Sequence, residues 1–203
     1  MTKTAAFWDK QAAKYAASPI KDMDSYERGM ARTASYLKPS DRVLEVGCGT
    51  GSSAIKLAAH VGSILATDVS PRMIEIARSK DAGNHKIDFE VAQTDAPMSG
   101  QFDVVMGFNI FHLVQNVPGT LTQLHSMLKP GGLFISKTPC LGNGNLLFPI
   151  LIPVMQLIGK APYVGIFSVK KWDQLIEESG FELIETGIFP RRPPSRFVVA
   201  RKL

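Results

Sequence analysis

The spacing of apolar residues changes once, near Arg42. Before it, over Lys3 to Ala17 and Asp22 to Leu37, apolar positions recur at helical intervals on either side of the breaker Ser-Pro-Ile-Lys-Asp. After it, short β-branched or apolar runs alternate with helical stretches. The strand candidates are RVLEV, SILAT, KIDFEV, FDVVMGF, GLFISK, FELIETGIF and RFVVAR, seven in all. The helices between them fall over Gly51 to Ala59, Pro71 to Lys80, Val117 to Leu128 and Lys170 to Ser179. Ser70 serves as N-cap of the second and Pro71 occupies its first position. Such alternation predicts an α/β protein whose mostly parallel sheet carries helices on both faces. The last two strands are joined by PRRPPS, with no room for a helix, so the last strand is expected to run antiparallel in a long hairpin.

A chain of 203 residues suits one domain with additions. Its expected parts are a helical segment over 1–40, a core over 41–138, an apolar insertion over 139–169, and a last helix and hairpin over 170–203. The insertion interrupts the alternation for about thirty residues, and loops of that length in compact domains are usually functional. Its run LLFPILIPVMQLIG is too short to span a bilayer and is broken by Pro149 and Pro153. The N-terminus lacks the apolar core of a signal peptide, which predicts a cytoplasmic protein without a transmembrane segment.

Composition narrows the chemistry. Two cysteines, Cys48 and Cys140, offer neither a disulfide framework nor a metal-ligand spacing, so no metal is expected. The net charge of +5 is shared between both parts of the chain and does not demand nucleic acid.

The sharpest chemical signal is VLEVGCGTG, Val43 to Gly51. A strand running into Gly47, Gly49 and Gly51 and then a helix puts backbone without Cβ atoms at the carboxyl edge of the sheet, where open α/β folds bind ligands. Asp68 ends the second strand, 21 residues after Gly47, the interval at which a carboxylate reaches the two hydroxyls of a ribose. Ser52 stands where the dinucleotide fingerprint wants glycine or alanine, which weakens the case for an NAD-dependent oxidoreductase. Glu45, between Val43, Leu44 and Val46, falls in a strand buried on both faces and needs hydrogen-bond donors.

VLEVGCGTG, the acid in ATDVS, then FDVV and LKPGG, taken in order over roughly Trp8 to Ser136, resemble the class I S-adenosylmethionine (SAM) dependent methyltransferases of small molecules. The resemblance implies a Rossmann-like seven-stranded sheet and SAM as cofactor. It also implies transfer of a methyl group by in-line displacement, and the apolarity of the insertion after the fifth strand suggests a small, hydrophobic acceptor. The resemblance places the loop Gly47-Cys48-Gly49 to Gly51 against the methionine and sugar, and gives Glu45 the loop or the amino acid end of SAM. Asp68 takes the ribose, with Val69 and Met73 beside the adenine. Asp95, with Gln93 and Thr94 before it, meets the adenine amino group. Phe108 and Asn109 hold the ammonium group, while FWDKQAAKY resembles a closing helix with Trp8 and Tyr15 as lid contacts.

Each of these residues has a plainer role to weigh. Cys48 fits as a small side chain between glycines rather than a reactive thiol. His112 stands just beyond the fourth strand as either a general base or a structural residue. Phe108, Phe111, Phe148, Tyr163 and Phe167 line a pocket or fill the core. Arg191, Arg192, Arg196, Arg201 and Lys202 are expected to be solvated charge near a turn and a terminus. FNIF in place of an Asn/Asp-Pro-Pro-aromatic motif argues against nucleic-acid base substrates. The apolar insertion suits an acceptor pocket, with peripheral membrane contact or a homodimer interface as competing uses. A SAM-binding sensor or scaffold without transfer activity is the alternative of a different class.

Overall fold

In a computed structural model of the protein, residues 2–203 are described, apart from 82, 84, 144–150, 152–154, 157–160 and 192. Most of the apolar insertion, including Phe148, and Arg192 in the hairpin therefore lie outside the described residues.

Two helices, α1 (Lys3–Ala17) and α2 (Met23–Ala34), precede the sheet. The strands are β1 (Arg42–Val46), β2 (Ser63–Asp68), β3 (Ile87–Val91), β4 (Phe102–Phe108), β5 (Leu128–Pro139), β6 (Phe181–Arg191) and β7 (Pro194–Lys202). Between them run α3 (Ser52–Leu57), α4 (Pro71–Lys80), α5 (Val117–Met127) and, before β6, α6 (Val169–Glu178). The sheet has seven strands in the order β3-β2-β1-β4-β5-β7-β6. β7 is antiparallel to both β5 and β6, and the other pairings are parallel. The expected α/β sheet with its antiparallel last strand is the one observed.

Local chemistry sets the boundaries. Side chains of Thr2, Ser70, Asn116 and Ser168 each accept a backbone N–H in the first turn of α1, α4, α5 and α6. β5 starts four residues before the expected GLFISK, because Leu128 pairs with Phe102. A register shift then absorbs Pro130-Gly131-Gly132 before Leu133 meets Val104. α2 stops at Ala34, where Tyr36 and Leu37 turn back to Thr33 and Ala34 through short-range bonds.

The two faces of the sheet bury separate apolar clusters. One holds Met30, Val43, Val104, Met106, Ile135, Phe197 and Val199 under α2, α3 and α4; the other holds Leu44, Val46, Phe111, Phe134 and Trp172 under α5 and α6. Phe111 is fully buried against Phe134 and Trp172, and Phe167 packs on Trp172, so both are core residues. Tyr163 is 41% exposed.

The C-terminal basic residues are less uniformly solvated than their sequence context suggests. Arg196 forms a two-pronged pair with Asp173 of α6 at 2.9 and 2.6 Å, and Lys202 donates to the carbonyls of His125 and Leu128. Both are held by the fold. Arg191 and Arg201 are exposed.

Candidate functional site

The strand order reverses between β1 and β4, and the crevice beyond their carboxyl ends is where a sheet of this kind receives a ligand. A cavity of about 710 Å³ occupies it. Its floor is Gly47 and Gly49 after β1, Asp68 and Val69 after β2, and Phe108 and Asn109 after β4. Met73 of α4, the segment Gln93-Thr94-Asp95, Trp8 and Tyr15 of α1, and His112 complete the predicted residues that the fold gathers there. Cys48 lines only a second, adjoining cavity of about 410 Å³, which shares Tyr15, Gly47, Gly49, Phe108 and Asn109 with the first.

The glycines divide by what surrounds them. All three adopt positive φ. A Cβ on Gly47 would lie 2.4 Å from the Ile110 side chain, whereas one on Gly49 meets nothing nearer than Tyr15 at 3.7 Å. Gly49 thus faces open space, and Gly47 is pressed against protein. Gly51 packs on Phe89 and Ala77 and lines neither cavity.

Asp68 is buried, and its two oxygens accept the N–H groups of Gly49 at 3.0 Å and Ser70 at 2.9 Å. Burial raises its pKa, and these two bonds act in the opposite direction. The carboxylate therefore ties the glycine loop to the start of α4 while lining the cavity.

Glu45 lies behind the loop rather than in the cavity wall. One carboxyl oxygen accepts the hydroxyl of Ser53, and the other is buried with no hydrogen-bond partner. Burial pushes its pKa up to about 7, against the pull of Ser53 and with help from Asp68. A proton retained in the native state and lost in the unfolded one makes stability fall as pH rises from about 4.5 to 7. Glu45→Gln is expected to remove this decline, on the order of 3 kcal/mol. Urea midpoints at pH 5 and pH 8 check it; an equal decline in both proteins would sink the idea.

Asn109 is the only non-glycine residue at positive φ among the described residues, and its N–H donates to the Lys137 carbonyl at 2.7 Å. Strain of this kind marks sites that the surrounding structure holds in place. Three residues on, burial lowers the pKa of His112 to about 4, and its Nδ1 has no partner. The imidazole is neutral at physiological pH. Its backbone carbonyl accepts the Gly165 N–H at 2.6 Å, and Pro139, Pro162 and Val164 join it in the wall, so described parts of the insertion return to the site.

α1 covers the cleft. Trp8 and Tyr15 meet edge to face at 6.5 Å, and Asp9 accepts hydrogen bonds from the Ser70 hydroxyl and the Arg72 N–H. Several contributors escaped the sequence reading, among them Ile110, Asn116, Thr120, Tyr26 and Lys137. Only Asn116, as an N-cap before Val117-Pro118, carried a local signal. No group able to hold a metal occurs among the described residues. No described helix is long and apolar enough to cross a membrane.

Residues 18–186 match a family model described as a methyltransferase domain. The hybrid PKS-NRPS synthetase mpsA of Macrophomina phaseolina is 27% identical over 80% of this chain and 4% of its own length. The demethylmenaquinone methyltransferase of Symbiobacterium thermophilum is 34% identical over 50% of this chain and 43% of its own. The chain thus spans about half or less of the curated relatives it matches. Magnesium protoporphyrin IX methyltransferase from Synechocystis PCC 6803, solved with bound SAH, superposes with a TM-score of 0.75 at 15% identity, covering 98% of each chain.

Proposed function

The chain belongs to the methyltransferase-domain family, and from that premise we propose that it transfers a methyl group from SAM to a small, largely apolar acceptor by in-line displacement. The observation that carries this reading is Asp68, a buried carboxylate that lines the cavity at the end of β2 beside the open backbone of Gly49. Donor chemistry fits as well. The space above Gly49 is what a Cβ would fill, and Phe108 and Asn109 line the same cavity.

When bound, SAM supplies a methyl group already activated by its sulfonium. The protein's residues bind, orient and exclude water. Asp68 would hold the ribose hydroxyls, Val69 and Met73 the adenine faces, and Asp95, with Gln93 and Thr94 beside it, the adenine edge. Phe108 and Asn109 would present backbone to the ammonium, with Glu45 supporting it from behind. Trp8 and Tyr15 on α1 would close the cleft. His112, neutral and with a free ring nitrogen, would accept the proton of an acceptor that must lose one. The names of relatives such as demethylmenaquinone methyltransferase support a small-molecule acceptor.

Asp68→Ala tests the cofactor assignment. Two charge-assisted hydrogen bonds of about 1.5–3 kcal/mol each would be lost, so SAM affinity should fall by roughly 100-fold or more. Calorimetric titration with SAM measures it, and NAD serves as the control ligand. Unchanged SAM affinity, or preference for NAD, would falsify the assignment. Methyl-labelled SAM incubated with a fractionated cell extract would then identify the acceptor.

A further inference from the structure

The smaller cavity contains a cation with no short-range partner among the described residues. Along β5, Ile135 and Lys137 face α2, and Lys137 stands in register with Phe108 of β4 and Phe197 of β7. Its side chain runs under α2, with Cδ 3.9 Å from where a Cβ on Gly29 would sit, and lines the cavity with Tyr26, Met30 and Ser195. Only 9% of Lys137 is exposed, yet its ammonium makes neither a hydrogen bond nor an ion pair with any described residue.

Burial lowers its pKa, and the opposing influence is Asp22. The Asp22 carboxylate is engaged elsewhere, accepting the Ser25 N–H at 2.9 Å as the cap of α2. Lys80, the other cation in this wall, donates to the Thr50 hydroxyl at 2.8 Å. A buried, unpaired ammonium is costly, and an incoming anion would offset that cost.

Position decides which anion. Under the cofactor assignment above, on which this inference rests, Val69, Met73 and Asp95 mark the adenine end and line only the larger cavity. The residues common to both cavities lie at the opposite end. Lys137 also accepts the Asn109 N–H through its own carbonyl, so one residue both supports the junction and sets a charge beside it.

We propose that the smaller cavity is an acceptor chamber, and that Lys137 anchors a carboxylate carried by the acceptor while its nucleophilic atom lies at the junction near Asn109. The acceptor class is then an apolar acid, its ring or chain against Tyr26 and Met30 and its carboxylate on the ammonium and the Ser195 hydroxyl.

The probe is trans-cinnamate, compared with neutral cinnamamide, titrated calorimetrically into protein saturated with S-adenosylhomocysteine (SAH). Cinnamate is expected to bind at least about tenfold more tightly than the amide, one charge-assisted contact. Lys137→Met should erase that preference and Lys137→Arg keep it, with SAH affinity unchanged in both. A preference absent from the native protein, or surviving in Lys137→Met, overturns the proposal. So does weakened SAH binding in Lys137→Met, which would give the ammonium to the cofactor's own carboxylate. Failure of the native protein to bind SAH at all overturns the cofactor assignment itself, a separate and recognisable result.

Discussion

Gly49→Val is expected to lower SAM affinity by at least about 100-fold while the protein still folds. The built Cβ has room, with Tyr15 at 3.7 Å as its nearest neighbour, so little in the protein itself resists the new side chain beyond the positive φ of 54°. That room is the space assigned to the cofactor. Gly47→Val should behave in the opposite way. Its Cβ would press into Ile110 at 2.4 to 2.8 Å, and the melting temperature should drop sharply before any ligand is added. Gly49→Ala serves as the milder companion. Calorimetric SAM binding and thermal melts on the three variants separate the effects; a Gly49→Val protein that binds SAM like the native one sinks the assignment of that space.

The second large effect concerns His112. Its replacement by Asn is expected to cut methyl transfer by roughly 10²- to 10⁴-fold and leave SAM affinity unchanged, as removal of a general base does. The pH profile gives a sharper test. A base is active when deprotonated, and burial holds this imidazole near pKa 4, so kcat/KM should rise with pH around 4 and show no limb near 6.5. The low-pH limb should vanish in His112→Asn. Turnover within threefold of the native protein would assign His112 to structure, held by Gly165 at its carbonyl.

Much of this arrangement is legible in the chain before any coordinates. Local patterns locate the strands because the central ones are mostly apolar runs, broken by single residues such as Glu45, and several helices carry their own caps, as Ser70 and Pro71 illustrate. The glycine loop and Asp68 are legible for the same reason: both are short-range features with fixed spacing. Residues brought in from a distance are harder to find. Lys137 reads as an ordinary strand lysine until pairing of β5 with β4 and β7 shows which face it occupies. Tyr26 and Ser53 matter only because α2 and α3 lie over that face. Arg196 was expected in solvent, and only the packing of α6 beside β7 gives it Asp173. Gly51 belongs to the motif, yet it serves the packing of α3 against Phe89 and not the cavity wall.

The contact between Asp9 and the start of α4 bears on timing. One carboxylate holds α1 there through the Ser70 hydroxyl and the Arg72 N–H. With the burial of Ala5 and Ala12, these two bonds form a local contact that can open without disturbing the strands. Traffic through the cleft then needs no unfolding of the sheet. Under the proposed function, exchange of spent for fresh donor would need only the movement of this one helix.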